Sequence, residues 1–258
     1  MPDDFTPRAP TPPSPPSFYA QPRLLSKGAL RDWWTVLHPP YTLLHLSLVA
    51  IGACLTSPVS APRLVATLAA FFLAVGVGAH CLDELHGRPL HTNLATWQLI
   101  TAAIVGLGGA VGLGVVGIFV VGGWFSLFIA FGVFVAVSYN LELFAGRFHT
   151  RAVVVLSWGG FPMLTAYYAQ HRALSLGAFL AAGFGTLMTL AQQQLSTPAR
   201  ELRRRVVSID GVAHRSDGTA TALTKEMMLA PLEITLKTLC RSGPLLALAF
   251  IAVRFVHQ

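Results

Sequence analysis

The sequence predicts an all-α, polytopic integral membrane bundle of about eight transmembrane helices. Three observations carry this reading. Of 258 residues, 53% are hydrophobic and only 11% charged, whereas soluble domains run at about a quarter charged. Apolar runs close to the ~20 residues that a bilayer core requires recur along the chain. The charges sit in short connectors between those runs, so the net charge of +7 reads as membrane orientation and excludes a nucleic-acid surface. Cys54, Cys81 and Cys240 form no CxxC pair, which excludes a disulfide framework and a zinc ribbon.

Taken in order, residues 1–22 are rich in Pro, Ser and Thr and predict a disordered or polyproline II tail without the apolar stretch of a signal peptide. Residues 23–258 form a single helical bundle. It starts with Arg23, Lys27 and Arg31 beside Leu24, Leu25, Leu30, Trp33, Trp34 and Leu37, a helix lying at the membrane surface that Pro39-Pro40 ends. Spans are expected near 41–57, 62–82, 95–115, 118–140, 151–169, 174–195, 226–240 and 242–257. The third and fourth come from one Gly-rich run with a turn near 115–118. The seventh is short and holds Pro231, Glu233 and Lys237, the last two at the i, i+4 spacing of an ion pair.

With a cytoplasmic N-terminus and eight alternating spans, fourteen of the eighteen Lys and Arg residues fall inside. The positive-inside rule then puts both termini in the cytoplasm of a cell-membrane protein, with cytoplasmic loops near 83–94, 141–150 and 196–225.

Ionisable groups are costly near a bilayer, so those that close the spans are candidate functional groups. The second span closes on His80, Asp83 and Glu84, which fall on one helical face; an imidazole and two carboxylates there can hold a divalent cation or poise a proton. The same carboxylates also fit a headgroup boundary, with Arg88 as ion-pair partner. Closing the fourth span are Tyr139, Asn140, Glu142 and Arg147, hydrogen-bonding groups beside a guanidinium fork suited to phosphate; an aromatic interface belt with a snorkelling arginine has the same composition. The sixth closes on Gln192, Gln193 and Gln194, then Ser196, Thr197 and an arginine cluster starting at Arg200. Buried amides require partners, and the arginines suit either a diphosphate or anionic lipid. His45 and Trp158 read as satisfied packing residues. In the eight-span topology all three motifs open on one membrane face.

The order of these elements over residues 30–258 resembles the UbiA superfamily of intramembrane prenyltransferases: an amphipathic leading helix, a first span from His38-Pro39-Pro40-Tyr41 to Gly52-Ala53-Cys54, and polar motifs closing spans two, four and six. The resemblance implies a bundle whose cavity opens to cytoplasm and lipid. It also implies an isoprenoid diphosphate bound through Mg²⁺ on two Asp-rich motifs. The family's first motif is Asn, Asp and Asp at four-residue intervals with a proline five residues on. Counting back from Pro89 sets Glu84 on the last Asp, His80 on the middle one and Gly76 on the Asn, with Asp83 as an added carboxylate. Where the second Asp motif belongs, this chain has Gln192-Gln193-Gln194 and Ser196-Thr197.

The function expected from the resemblance is transfer of a prenyl group from a prenyl diphosphate to an aromatic or lipid acceptor. Asp83, Glu84 and His80 would hold Mg²⁺ as catalytic residues, and Tyr139, Asn140, Glu142, Arg147, Gln192, Gln193, Ser196 and Arg200 would bind substrate. Alternatives are a UbiA-type terpene cyclase, a non-catalytic isoprenoid or lipid binder that has lost the Asp motifs, and a transporter with Glu142, His80 and Glu233 on an ion path. Expected partners are the bilayer, an isoprenoid diphosphate and an unidentified acceptor.

Overall fold

The computed structural model describes residues 28–256; the tail at 1–22 and the basic residues Arg23 and Lys27 lie outside them. Helix α1 (Ala29–Leu37) sits against the bundle through Val36, which packs with Cys81, Leu94 and Leu99. His38 takes a left-handed turn (φ 44°), and α2 (Pro39–Cys54) starts on the prolines that stop α1. Proline suits a first helical turn because its missing N–H has no partner to lose there.

Helix α3 (Ala61–Phe71) runs without a break through a π-helical segment (Phe72–Ala79) into α4 (His80–Leu85). Next come α5 (Thr96–Val121) and α6 (Phe125–Asn140), joined by a turn at Gly122, several residues later than expected. Helix α7 (Arg151–Val155) passes through a second π segment (Leu156–Gly160) into α8 (Phe161–His171). Helix α9 (Leu176–Arg204) continues through Pro198, so the arginine cluster forms its last turn, where cations oppose the negative end of the helix dipole.

Two strands, β1 (Gly211–His214) and β2 (Ala220–Leu223), form an antiparallel hairpin that the all-α expectation missed. Asp217-Gly218 at its tip is the short-range turn signal that marks it.

The last helix corrects the expected layout. Spans seven and eight are one helix, α10 (Lys225–Phe255), 31 residues and therefore about 46 Å long. Arg241, the one residue between those expected spans, is no connector. Instead Ser242 Oγ donates to the Leu239 carbonyl inside the helix, and Gly243 lets α10 press onto Leu44 and Ser47 of α2. Glu233 makes an ion pair across helices, Arg203 Nε to Glu233 Oε1 at 3.1 Å.

Among the described residues, five helical segments are long and apolar enough to cross a membrane: Ala29–Cys54, Ala61–Leu85, Thr96–Val121, Arg151–His171 and Lys225–Phe255; Phe125–Asn140 is apolar but shorter. The chain is thus an all-α membrane bundle with fewer separate rods than the eight expected.

Contacts fix direction. Leu44 meets Gly243 and the Cys54 carbonyl meets Arg254, so α2 and α10 run parallel, and the end of α10 lies away from the 205–224 connector. The bundle has a mouth end, carrying the 86–95, 141–150 and 205–224 connectors, and a far end. Contrary to the expectation, residue 256 lies at the far end.

Candidate functional site at the mouth

The ends of α4, α6 and α9 meet at the mouth. His86 Nε2 lies 3.7 Å from Glu142 Oε1, and His149 Nδ1 lies 3.8 Å from the same oxygen. Asp83 is exposed and within electrostatic reach of Arg200, Arg204 and His149; Tyr139 is within reach of Asp83 and Arg200. Helix periodicity explains why these arginines reach it. Gln192, Ser196, Ala199 and Arg203 form the buried stripe of α9, which sends Arg203 inward to Glu233 and leaves Arg200 and Arg204 on the open surface.

His80, Asp83 and Glu84 do not converge. Glu84 is 0% exposed and faces the 86–95 connector. Its Oε2 accepts from Leu90 N at 2.9 Å, and its Oε1 accepts from Thr92 N at 3.0 Å and Thr92 Oγ1 at 2.8 Å. That carboxylate organises the loop. His80 Nδ1 donates to the Gly76 carbonyl at 3.3 Å, and its ring lies 6.4 Å from His38 and 6.2 Å from Tyr41. Arg88 pairs with neither carboxylate; it donates to the Leu94 carbonyl and to Thr96 Oγ1.

Gly76, aligned with the family's Asn, is a packing position. A Cβ there would come within 3.0 Å of Thr42 and Phe72, so a ligating Asn does not fit without moving them. Among the described residues no group of three or more His, Cys, Asp or Glu could hold a metal ion. The residues present therefore do not fit the Mg²⁺ cage that the resemblance implies: Asp83 is the one member of the expected trio that keeps a carboxylate turned to the mouth.

The remaining candidates separate by burial. Asn140 is buried, its Nδ2 donating to the Ala136 carbonyl at 2.7 Å. Glu142 (φ 48°) and Arg147 stand exposed in the turn after α6. Gln192 is 8% exposed with Oε1 unpartnered, Gln193 is half-buried and Gln194 exposed. Ser196 is buried, with Oγ donating to the Gln193 carbonyl.

An apolar cavity of about 310 Å³ extends from mid-bundle, where Val75, Val135 and Trp158 line it, past Phe71, Phe128 and Phe161 to Arg63 and Val121 at the far end. Phe128 and Phe161 stack at 6.1 Å, and Phe71 meets Phe161 edge-on at 6.3 Å. Tyr139 bridges mouth and cavity, its ring 4.4 Å from His149 and 5.0 Å from Trp158. The cavity is of ligand-binding size, and its lining is almost wholly apolar.

Sequence reasoning overlooked His149 and read His45 and Trp158 as separate packing residues, without seeing that they bond to each other. His45 Nδ1 lies 2.9 Å from the Trp158 carbonyl oxygen. Pro162 was the available signal. Lacking an N–H, it cannot serve the carbonyl four residues before it, so Trp158 needs a donor from elsewhere.

At the far end, three arginines are bound to helix C-terminal carbonyls. Arg63 donates to Gln170 and Ala169, Arg172 to Val120 and Arg254 to Cys54. Such bonds satisfy orphan carbonyls and oppose the dipole. No protein-family model, curated protein or solved structure matches this chain.

Proposed function

We propose that the chain is a UbiA-like intramembrane prenyltransferase. One observation carries the reading: Tyr139, within electrostatic reach of Asp83 and Arg200 at the mouth, packs on Trp158 in the wall of an aromatic-lined apolar cavity that extends from mid-bundle toward the far end. That is the shape of an amphiphile with a polyanionic head and a hydrocarbon tail, which describes an isoprenoid diphosphate. Arg200 and Arg204, with Arg147 from the neighbouring turn, grip diphosphate oxygens through guanidinium forks. Asp83 holds Arg200 and Arg204 in place, and the prenyl tail fills the cavity.

As the prenyl C–O bond breaks, its electron pair goes to diphosphate, where the arginines meet the growing charge. The faces of Tyr139 and Trp158 stabilise the allylic cation, and the apolar walls exclude water until an acceptor attacks. The acceptor is an aromatic ring, a lipid head group or, in a cyclase, a double bond of the same chain.

A second reading, isoprenoid capture without turnover, is favoured by Glu84, whose oxygens are taken up by the 86–95 connector. Orientation follows from charge: Arg88, Arg147, Arg151, Arg200, Arg204, Arg205 and Arg215 lie at the mouth, while the far-end arginines cap helices. This supports a mouth and N-terminus in the cytoplasm of a cell-membrane protein.

The test is farnesyl diphosphate added to the purified chain in phosphatidylcholine nanodiscs, with binding and diphosphate release measured with and without Mg²⁺. Binding that the double variant R200A/R204A weakens at least tenfold, with release in the presence of an acceptor, supports transfer. Binding without release supports capture, and no binding ends both readings.

A further inference from the structure

The far end of the bundle carries positive charge without a counter-charge. Arg63, Arg172 and Arg254 stand there on helix C-terminal carbonyls, while every Asp and Glu among the described residues lies in the mouth half. Capping accounts for only part of each guanidinium. Arg63 bonds through Nη1 and Arg172 through Nη2, and among the described residues neither side chain makes another hydrogen bond. Two nitrogens of each fork therefore remain available as donors.

Two of these three arginines mark one opening. Arg63 lines the apolar cavity and bonds to the Ala169 carbonyl, and Arg172 bonds to that of Val120; Ala169 and Val120 are themselves wall residues. Arg254 and its partner Cys54 lie off the cavity. Pro62 and Ala66 of α3, and Val116 and Val120 of α5, are exposed and also belong to the wall, so the far half of the cavity opens sideways between these helices. Glycines set that shape. At Gly106, α5 lies so close to the π segment that a Cβ would come within 2.7 Å of the Leu73 carbonyl oxygen; further along, Gly114 and Gly117 bring α5 onto Ile129 and Phe125 of α6 instead. On α6 the wall runs from Phe125 to Ala136, about 16 Å of helix, close to half of a ~30 Å hydrocarbon core. The cavity is one leaflet deep.

We propose that the far end of the cavity is a binding site for an anionic phospholipid of the far leaflet. Its phosphate sits on Arg63 and Arg172, and one acyl chain enters between α3 and α5 and fills the cavity. Guanidinium forks match phosphate oxygens, and basic pockets between membrane helices suit anionic head groups. The site goes beyond prenyl transfer and does not depend on it. Lipid chain and prenyl tail share the stretch at Val75 and Trp158, so a bound prenyl diphosphate expels the chain.

The test is native mass spectrometry of the full chain in detergent with equal amounts of palmitoyl-oleoyl phosphatidylglycerol and phosphatidylcholine. Wild type should retain one phosphatidylglycerol and prefer it about tenfold, the effect of two arginines on one added negative charge. Arg63→Gln with Arg172→Gln keeps an amide N–H for each carbonyl, removes the charge and should bring the ratio near one. Arg254→Gln, which removes far-end charge away from the cavity, should leave the ratio unchanged. Gly132→Leu sets its Cβ in ordinary contact with Phe161, fills the cavity and should lower retention of both lipids. A wild-type ratio of one overturns the site, and so does an unchanged ratio in the folded double variant. An equal fall in Arg254→Gln overturns it too, because general surface charge would then be the cause. Full retention in Gly132→Leu places the chain outside the cavity and has the same consequence, so the proposal is decided even if the double variant fails to fold. Should farnesyl diphosphate fail to bind while phosphatidylglycerol is retained, the lipid site stands and the transfer reading falls.

Discussion

His45 donates from Nδ1 to the main-chain carbonyl of Trp158 across 2.9 Å, joining residues 113 positions apart. Pro162 leaves that carbonyl short of a helical donor, and the π turn around it aims the oxygen at α2. His45→Phe should cost about 1–3 kcal/mol by leaving the oxygen unpaired in an apolar setting. His45→Asn, which keeps a donor, should cost less than half as much. Chemical denaturation in detergent micelles measures both, and equal losses would show that ring packing rather than the hydrogen bond matters.

Glu84 and Asp83 are neighbours with opposite duties. Glu84→Gln places an amide N–H₂ against donors from Leu90 or Thr92 and should destabilise by about 1–3 kcal/mol, with faster proteolysis of the 86–95 connector. Asp83→Asn, at an exposed position, should leave stability within about 0.5 kcal/mol of wild type while weakening diphosphate binding. The reverse ranking in a melting series would overturn these assignments.

The three consecutive glutamines should behave differently. A helix turns about 100° per residue, so the run samples inside, boundary and outside. Gln192→Leu removes a buried acceptor and should alter ligand binding about tenfold, whereas Gln194→Leu, exposed, should be silent. Titration with farnesyl diphosphate in phosphatidylcholine nanodiscs decides, and a strong effect at Gln194 alone would refute this.

Because α10 is continuous, residues 208 and 256 should report opposite membrane faces. In a background without Cys54, Cys81 and Cys240, Ser208→Cys should resist an impermeant thiol reagent in intact cells and Val256→Cys should react. Labelling of both, or of neither, would mean that the chain crosses the membrane an even number of times between them.

At the hairpin tip, Asp217 Oδ1 accepts from Thr219 N at 2.9 Å and from Thr219 Oγ1 at 2.7 Å. These donors favour the ionised form and hold its pKa below the ordinary 3.8. A depressed carboxylate stabilises above its unfolded pKa and loses that contribution as pH falls through the folded value. The tip should therefore stay ordered down to about pH 4 and loosen below it. The Thr219 amide shift, followed by NMR, should titrate below pH 4, and Thr219→Val should move the midpoint upward; an unmoved midpoint would remove these hydrogen bonds as the cause.

Composition and run length alone determined that this chain is a helical membrane bundle, because burying or lipid-facing so many apolar residues leaves few other solutions. Helical periodicity also determined that the glutamines differ from one another. Direction along the bundle was another matter. Whether the chain turns or continues at Arg241 depends on Gly243 meeting α2, a contact that local pattern does not encode. Spacing put His80, Asp83 and Glu84 on one face, but the 86–95 connector folded back and its part-buried N–H groups at Leu90 and Thr92 took Glu84 as their acceptor. His45 and Trp158 each looked like an isolated polar handle. Only the packed helices brought the ring to the carbonyl that Pro162 left open, and a donor–acceptor pair between distant positions exists only once the tertiary structure has formed.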